Sequence, residues 1–270
     1  MLIAFWSIAH GQTANTVNTA VISSMLALEN NLKTLICHSH FSRSILEKCF
    51  VSTRLLEQDR MGAFSDRGID ALSRLAKNGK LTKNSIPDYT ISLLKDNRLD
   101  LLVGTETEDH RIFQNILDVL NQIFDCSSEF YDVVAVDVHS GLNNQITNAI
   151  VERADIIIIN LNQNVYLLND FFSNKDIAKY LKDKKHIINI SKYDSQSKYT
   201  LKNISRKYNI KDIIAVPYQA QLLDACNDSN ILDYLVRQIF NVKSDEHSNF
   251  INQLRENCKT ILNVSGVKEG

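Results

Sequence analysis

The stretch from Ser7 to Ala20, SIAHGQTANTVNTA, follows the apolar opening MLIAFW and has one glycine before a helix-like run. A strand, a glycine-containing loop and a helix in this order can bind phosphate, because backbone N–H groups and the helix N-terminus converge on the anion. A threonine at the start of such a helix can bind Mg²⁺ through its hydroxyl. The lysine that usually neutralises the phosphate is missing. The stretch therefore predicts a phosphate-binding loop without its main positive charge.

Other polar side chains that could take part in chemistry follow predicted strands. Asp137 lies at the end of the apolar run in YDVVAVDVHSGL, where its carboxylate could hold Mg²⁺ together with the loop threonine. Four histidines also fall at predicted strand ends: His10, His38, His40 and His139. If their strands are neighbours, the imidazoles could converge on Zn²⁺ or Mn²⁺. The alternative, which we favour, is that they are hydrogen-bonding groups and that His10 contacts a phosphate.

These residues need a framework that brings strand ends together, and the apolar pattern predicts one. Seven runs are apolar enough to be buried strands: Leu2–Ser7, Thr34–Cys37, Leu99–Val103, Val133–Val138, Asp155–Leu161, His186–Ile190 and Asp212–Val216. Other segments are helix-like: Asn15–Glu29, Ser42–Phe50, Asp66–Asn78, Asp109–Phe124, Asn144–Arg153, Tyr166–Phe172, Lys175–Leu181, Ser197–Tyr208, Ile231–Phe240 and Asn249–Leu262. The alternation predicts an α/β fold, a doubly wound and mostly parallel sheet with helices on both faces. Ligands of such sheets bind at the carboxyl ends of the strands, where the candidate residues lie.

The composition limits the class of protein. The chain has 270 residues, of which 44% are hydrophobic, enough for one substantial core. Its net charge of −1 gives no global signature for nucleic acid or an anionic membrane. Five widely spaced cysteines without a CxxC motif indicate reduced, mostly buried thiols. The N-terminus lacks the basic region of a signal peptide, and no apolar run approaches the ~20 residues that span a bilayer, so we expect a cytoplasmic protein.

The order of several segments resembles that of a known family. The loop is followed by TLICHSHFSRSILE, YDVVAVDVHSGL, HIINISKYD and DIIAVPYQAQLLDACNDSNILDYL. This order is similar to that of the MinD/ParA family of deviant P-loop ATPases, and especially to its divergent TadZ/CpaE-type members. The resemblance covers residues 1 to about 240. It implies a P-loop NTPase-like fold that binds ATP and Mg²⁺.

The resemblance also implies which loop features are kept and which are lost. The family loop reads KGGxGK, followed by two Ser/Thr residues. Here His10 stands at the signature lysine and Asn15 at the Walker lysine, while Ala14 replaces a glycine. Gly11 and Thr16 match the family pattern. The Walker A motif is therefore degenerate.

Outside the loop, the resemblance assigns further residues. His38 and His40 stand where the family has acidic residues after the second strand, and Asp137 matches the Walker B aspartate. Ser191 stands where the family often has an asparagine that reads the adenine, and Pro217 with Tyr218 matches a turn near the base. The implied nucleotide contacts are His10, Gly11, Gln12, Thr13, Ala14, Asn15, Thr16, Val17, Asp137, Ser191, Pro217 and Tyr218, with Thr16 and Asp137 as the Mg²⁺ ligands.

We expect one domain over residues 1–245, with 50–98 as an insertion, followed by a C-terminal helix and tail over 246–270. The helix has one apolar stripe, formed by Phe250, Ile251, Leu254, Cys258, Ile261 and Leu262. Its internal cations are only Arg255 and Lys259, with Glu256 between them. Membrane binding favours a basic polar face. We therefore expect this helix to pack on the domain or on a partner rather than to touch a membrane directly.

The loss of both lysines predicts nucleotide binding with impaired hydrolysis, because phosphoryl transfer depends on positioning and charge neutralisation. The resemblance implies a homodimeric localisation scaffold with protein partners in a pilus, secretion or segregation machine. Two alternatives stay open. The first is a slow Mg²⁺-dependent ATPase that acts as a switch, and the second is an interaction scaffold that binds no nucleotide.

Overall fold

The computed structural model describes residues 1–40, 44–60, 67–105, 110–240 and 245–266. The strands in these ranges are β1 Leu2–Trp6, β2 Thr34–His38, β3 Ile91–Leu94, β4 Leu99–Leu101, β5 Val133–Asp137, β6 Ile156–Leu161, β7 His186–Tyr193 and β8 Ile213–Pro217. They form one sheet in the order β3-β4-β2-β5-β1-β6-β7-β8. Every neighbouring pair is parallel except β3 and β4. The predicted doubly wound, mostly parallel α/β sheet is confirmed.

Helices connect these strands and cover both faces of the sheet. They are α1 Asn15–Glu29, α2 Thr53–Arg60, α3 Gly68–Lys77, α4 His110–Phe130, α5 Gln145–Arg153, α6 Val165–Ser173, α7 Lys175–Leu181, α8 Leu201–Tyr208, α9 Ala220–Asn227, α10 Ile231–Phe240 and α11 Asp245–Ser265. Side chains alternate between two core layers: Leu2, Ala4 and Trp6 of β1 face one layer, whereas Ile3 and Phe5 face the other. Because both faces of β1 are buried, its sequence is apolar without a polar alternation.

The position of β1 determines where the site lies. β1 is hydrogen-bonded to β5 on one side and to β6 on the other. The chain reaches β2 on the β5 side and later continues through β7 and β8 on the β6 side. The strand order thus reverses at β1, and the loop that follows it opens into the crevice where ligands of such sheets bind.

The segment 50–98 contributes to the same sheet. Its strand β3 pairs antiparallel with β4 at the sheet edge, and Ile86 and Leu72 are fully buried in one core layer. Its description as an insertion stays a prediction.

The C-terminal helix α11 packs on the domain with the apolar stripe that the sequence predicts. Asn257, fully buried on this helix, donates to the Ala215 carbonyl (2.7 Å) and accepts from the Ala215 N–H (3.3 Å). Its amide thereby supplies hydrogen bonds to the outer strand β8. Among the described residues, no helix is long and apolar enough to cross a membrane.

One predicted helix is wrong, and three elements are missing from the sequence prediction. In the described part of Ser42–Phe50, residues 44–50, the structure has only a 3₁₀ turn at Glu47–Cys49, while residues 42 and 43 lie outside the described ranges. Leu46 and Cys49 are both buried, and a spacing of three suits a 3₁₀ turn as well as an α-helix. The pattern also missed α2, α9 and β3, the last being a four-residue strand that is not fully buried.

Candidate functional site

The loop between β1 and α1 is held in shape by its own side chains. The Thr13 hydroxyl donates to Ser7 Oγ (2.7 Å), and Ser7 Oγ accepts from the Ala9 N–H (3.1 Å). Two residues have left-handed backbone angles, Gly11 with φ 72° and Ala14 with φ 49°. The turn before α1 therefore needs a glycine at position 11, whereas Ala14 holds a conformation that costs about 1–2 kcal/mol in an L-residue.

The loop has the features of an anion site. An added Cβ at Gly11 would meet no atom within 4 Å, so the space above the loop is open. The residue before α1, Ala14, gives no side-chain cap to this 15-residue helix. Residues 10–12 form a turn that leads into the helix. The N-terminus of a long helix that has no side-chain cap suits a phosphate, and the residues present therefore fit the phosphate chain of a nucleotide.

Thr16 and Asp137, the predicted metal ligands, lie next to each other at the start of α1 and the end of β5. The Thr16 hydroxyl donates to Asp137 Oδ2 at 2.6 Å, and the Asp137 side chain is almost completely buried. A hydroxyl and a carboxylate are ligands that Mg²⁺ accepts in P-loop proteins. The two side chains that the sequence assigns to the metal thus lie together, as such a site requires.

Asn15, which the sequence resemblance aligns with the Walker lysine, points into the sheet. Its Nδ2 donates to Asp137 Oδ1 (2.6 Å) and to the Phe5 carbonyl (2.8 Å). The Asp137 carboxylate therefore has one oxygen bound by Asn15 and the other by Thr16. An asparagine fills this position by satisfying polar groups of the protein, and it provides no cation for a phosphate.

A buried network of amides lies beneath the loop, which sequence reasoning missed. Asn18 Nδ2 donates to Asn160 Oδ1 (2.8 Å) and to Ser191 Oγ (2.7 Å), and Asn189 Nδ2 donates to Asn160 Oδ1 (2.7 Å). All four side chains are almost completely buried. Asn160 and Asn189 are direct neighbours in the ladder between β6 and β7. The available signal was one asparagine in each of the otherwise apolar runs IIIINL and HIINI.

Ser191 belongs to this network, so its hydroxyl is already hydrogen-bonded to Asn18 inside the protein. Its adenine contact stays a prediction, and the geometry gives it no support.

The remaining predicted contacts lie in two places. Gln12 is exposed on the loop, where its carbonyl accepts from Asn162 (3.3 Å), and Val17 is half-buried in the first turn of α1. Pro217 ends β8, and the exposed Tyr218 follows it, with its N–H bonded to the Tyr193 carbonyl (3.0 Å). Since strands lie about 4.8 Å apart and β8 is the third strand from β1, these two residues lie roughly 14 Å from the loop strand. They do not join the phosphate end of the site.

His38 at the end of β2 forms a buried ion pair with Glu47. His38 Nε2 lies 2.5 Å from Glu47 Oε1, which also accepts from the Gly104 N–H (3.1 Å). Burial alone would lower the pKa of His38, but the charge and hydrogen bond of Glu47, with the charge of Asp137, raise it above its usual value. Burial would raise the pKa of Glu47, but the charge and hydrogen bond of His38 lower it. Both shifts favour the charged form of each group.

The four histidines form a row rather than a cluster. Ring centroids are 5.6 Å apart for His38 and His40, 5.6 Å for His40 and His139, and 5.8 Å for His139 and His10. His40 Nε2 lies 3.4 Å from Asp137 Oδ2, so the row passes beside the Mg²⁺-type pair. Within the described residues, no three His, Cys, Asp or Glu side chains have the arrangement of a metal site. His10, at the exposed end of the row on the loop, is placed for contact with an anion.

Comparisons with known proteins agree on the fold. No protein-family model matches the chain, and no curated protein matches it. Among solved structures, it is similar to a ParA family ATPase from Chlorobium tepidum TLS, with 14% identity over 98% of each chain and a TM-score of 0.68. It is also similar to the septum site-determining protein MinD from Pyrococcus horikoshii OT3, complexed with Mg-ADP, with 15% identity, 97% and 98% of the two chains covered and a TM-score of 0.67. A chain of the MinC:MinD cell division complex from Aquifex aeolicus matches with 15% identity, coverage of 96% and 95% and a TM-score of 0.63.

The sheet order, the covering helices and the loop after β1 define a P-loop NTPase-like α/β fold. Within that class, the agreement with ParA and MinD structures over nearly the whole chain shows a MinD/ParA-like fold. At these identities the similarity concerns the fold, and the site must be judged from its own residues.

Proposed function

We propose that this protein binds ATP with Mg²⁺ and acts as a localisation scaffold of the MinD/ParA type with impaired or absent hydrolysis. The observation that carries the proposal is the pairing of Thr16 and Asp137 at 2.6 Å beside an open loop at the N-terminus of α1. Gly11 and the loop amides of residues 11–13 would hold the phosphates, with His10 as the nearest source of positive charge. The bound metal would supply the charge neutralisation that the missing lysine normally provides.

The same geometry argues against efficient turnover. Asn15 is hydrogen-bonded to Asp137 and Phe5, and His38 and His40 stand where the family resemblance implies acidic residues. His38 is occupied by Glu47. Loss of one preorganised electrostatic contact costs about 3–4 kcal/mol in transition-state stabilisation. Binding through backbone amides and a metal does not depend on the lost groups.

The partner class rests on the fold neighbours and on the sequence resemblance. The structure neighbours include a MinD protein with Mg-ADP and a MinC:MinD complex. By analogy with them and with TadZ/CpaE-type proteins, we infer a homodimer that positions a pilus, secretion or segregation apparatus. Because the apolar stripe of α11 is buried in the protein's own core, we infer that membrane contact is indirect.

Calorimetric titration of Mg-ATP into the purified protein tests the proposal. Binding should weaken by about 10-fold or more in Thr16→Ala, since a hydrogen bond to a charged group contributes about 1.5–3 kcal/mol. Thr260→Ala is the matched control, because its hydroxyl bonds only the helix carbonyl of Glu256, far from the loop. If millimolar Mg-ATP produces neither binding heat nor a shift in the melting temperature, the proposal is wrong. The alternative of an interaction scaffold that binds no nucleotide would then hold.

A second measurement separates the scaffold from the slow ATPase. Phosphate release that needs Mg²⁺ and disappears in Asp137→Ala would identify a switch with residual hydrolysis. The specific observation in its favour is that the Thr16–Asp137 pair is intact. If ATP binds but no phosphate appears above the background of Asp137→Ala, the nucleotide has a structural role.

A further inference from the structure

One ring nitrogen beside the pair Thr16 and Asp137 is buried without a hydrogen bond. This atom, His40 Nε2, has no hydrogen-bond partner within the described residues. It lies 3.4 Å from Asp137 Oδ2, the same carboxylate oxygen that accepts from the Thr16 hydroxyl. Buried polar atoms in native proteins nearly always have a partner, so the unpartnered nitrogen requires a physical explanation.

The distance between the nitrogen and the carboxylate oxygen suits a shared metal ion. Zn²⁺ binds histidine nitrogen at about 2.0–2.1 Å and carboxylate oxygen at about 2.0–2.2 Å, in tetrahedral geometry. Two ligand atoms that are each about 2.1 Å from a tetrahedral ion are about 3.4 Å from each other. His40 Nε2 and Asp137 Oδ2 have this separation, 3.4 Å. A zinc ion would therefore reach both atoms while neither side chain moves.

The Asp137 carboxylate is oriented for a cation. Its side chain is almost completely buried, and its two oxygens accept from the Asn15 amide and the Thr16 hydroxyl. Both donors are neutral, so they fix the orientation of the carboxylate without neutralising its charge. Carboxylates that bind metals are typically held by such hydrogen bonds. The His40 side chain is 18% exposed, which leaves a route from solvent to the site.

The neighbouring histidines of the row have other partners. His38 Nε2 lies 2.5 Å from Glu47 Oε1, so this ring belongs to the buried ion pair. His139 Nδ1 lies 2.9 Å from a backbone carbonyl. Within the row, His40 is therefore the ring with an unpartnered nitrogen next to Asp137.

We propose that His40 is a ligand of the metal ion in the candidate site, together with Asp137 and Thr16, and that this site prefers Zn²⁺ to Mg²⁺. Imidazole suits Zn²⁺, whereas Mg²⁺ is bound by oxygen ligands and would use the hydroxyl and the carboxylate alone. The inference rests on the proposed function, because phosphate oxygens of the nucleotide, or water, would fill the remaining coordination positions. Only two ligands are His, Cys, Asp or Glu side chains, so the site is compatible with the absence of a group of three in the described residues.

NMR of the histidine rings tests the proposal directly. The full-length protein is labelled with ¹⁵N in its seven histidine rings, and long-range ¹H–¹⁵N spectra are recorded without metal, with Zn²⁺, and with Zn²⁺ and ATP. A ring nitrogen bound to Zn²⁺ differs in chemical shift from protonated and from free ring nitrogens, so the spectra identify the coordinated atom. We expect this atom to be His40 Nε2. The absence of a coordinated His40 nitrogen from both zinc samples would overturn the proposal.

Three variants assign the nitrogen and measure its effect. The affinity for Zn²⁺ in the presence of ATP is measured by competition with a chromophoric chelator, with the same ATP without protein as reference. His40→Gln should lower this affinity by at least the roughly 10–100-fold that loss of an outer-shell partner costs, and should lower the affinity for Mg²⁺ less. His186→Gln is the matched control and should keep the wild-type affinity, because this exposed histidine begins β7, at the opposite end of the strands from the site.

Melting curves recorded without metal establish that each variant is folded, and His40→Ala replaces His40→Gln if the latter is unstable. The wild-type spectra identify the zinc ligand without any variant. Equal losses of affinity for Zn²⁺ and Mg²⁺ in the folded His40 variant would overturn the proposal. So would a coordinated nitrogen whose signal disappears in His139→Gln and persists in the His40 variant.

Calorimetric titration of Mg-ATP separates failure of this inference from failure of the proposed function. If Mg-ATP binds and Zn²⁺ gives no coordinated His40 nitrogen, the inferred ligand is wrong and the proposed function stands. If Zn²⁺ binds to His40 Nε2 and neither Mg-ATP nor Zn-ATP binds, His40 is confirmed as a metal ligand and the proposed function is wrong. If neither metal nor nucleotide binds, both are wrong.

Discussion

Gly104→Ala should destabilise the protein by displacing the His38 ring. A Cβ at position 104 would lie 2.3 Å from His38 Cε1 and 2.4 Å from Nε2. Ordinary contacts between such atoms are about 3.5–4.0 Å, so the ring would have to move by about 1 Å. The ring has no freedom to do so, because Nε2 is 2.5 Å from the Glu47 carboxylate and both side chains are buried.

The size of the effect follows from the pair that is broken. Loss of one side of a buried ion pair costs about 3–5 kcal/mol, because the other charge stays buried without a partner. The Gly→Ala change itself lowers the entropy of the unfolded chain, and this increases the free energy of unfolding by about 0.4–1 kcal/mol. We therefore expect Gly104→Ala to reduce the free energy of unfolding by about 3 kcal/mol.

Equilibrium unfolding in guanidinium chloride measures this loss, with Gly79→Ala as a control. Gly79 has a φ of 64° but no atom within 4 Å of its Cβ position, so its variant reports backbone strain without a clash. In the Glu47→Gln background the pair is already broken, and Gly104→Ala should then cost less than about 1 kcal/mol. A loss below 1 kcal/mol in the wild-type background, or full additivity with Glu47→Gln, would refute the reasoning.

Three further predictions concern the ion pair, the loop and α11. The His38–Glu47 pair contributes fully to the free energy of unfolding between the ordinary pKa values of glutamate and histidine, about 4.3 and 6.5. This contribution is lost as the pH rises through the raised pKa of His38, and also as the pH falls through the lowered pKa of Glu47. Glu47→Gln should therefore cost more stability at pH 6 than at pH 9 in urea unfolding, and equal costs would contradict this. Asn15→Lys should strengthen Mg-ATP binding about 10-fold in calorimetry, because a charged side chain that turns out of the sheet adds a donor to the phosphates, and unchanged affinity would show that the lysine stays turned into the sheet as Asn15 does. Asn257→Ala should lower the free energy of unfolding by about 2 kcal/mol, because it leaves the buried N–H and carbonyl of Ala215 unpaired, and a loss below 0.5 kcal/mol would contradict the contact.

The sheet was predictable because its strands are buried on both faces. A strand that is buried on both faces has a continuous apolar sequence, as in the runs VVAV and IIIIN. Helix α1 begins at Asn15, as its sequence pattern predicts. The strand β3 was not predictable, because ISLL is short, lies at an edge and is not fully buried. The 3₁₀ turn at Glu47–Cys49 could not be told from a helix, because both place Leu46 and Cys49 on one side.

In the site, the sequence indicated which residues are near the loop but not their orientation. It placed Thr16 and Asp137 together, and the structure joins them by a hydrogen bond. It did not indicate that Asn15 turns into the sheet, or that Ser191 is hydrogen-bonded to Asn18 beneath the loop. Hydrogen bonds between residues more than a hundred positions apart leave no local pattern, so only the folded chain reveals them.

The amino-acid sequence by itself determined the α/β class, the loop after the first strand and the absence of a lysine there, because each of these depends on local composition and spacing. The tertiary structure decided the strand order, the partners of buried polar groups such as Asn15 and Asn18, and the packing of the turn Glu47–Cys49 against α9. The physical reason is that burial favours apolar runs residue by residue, whereas a buried polar group is satisfied only by the particular neighbour that the fold brings to it.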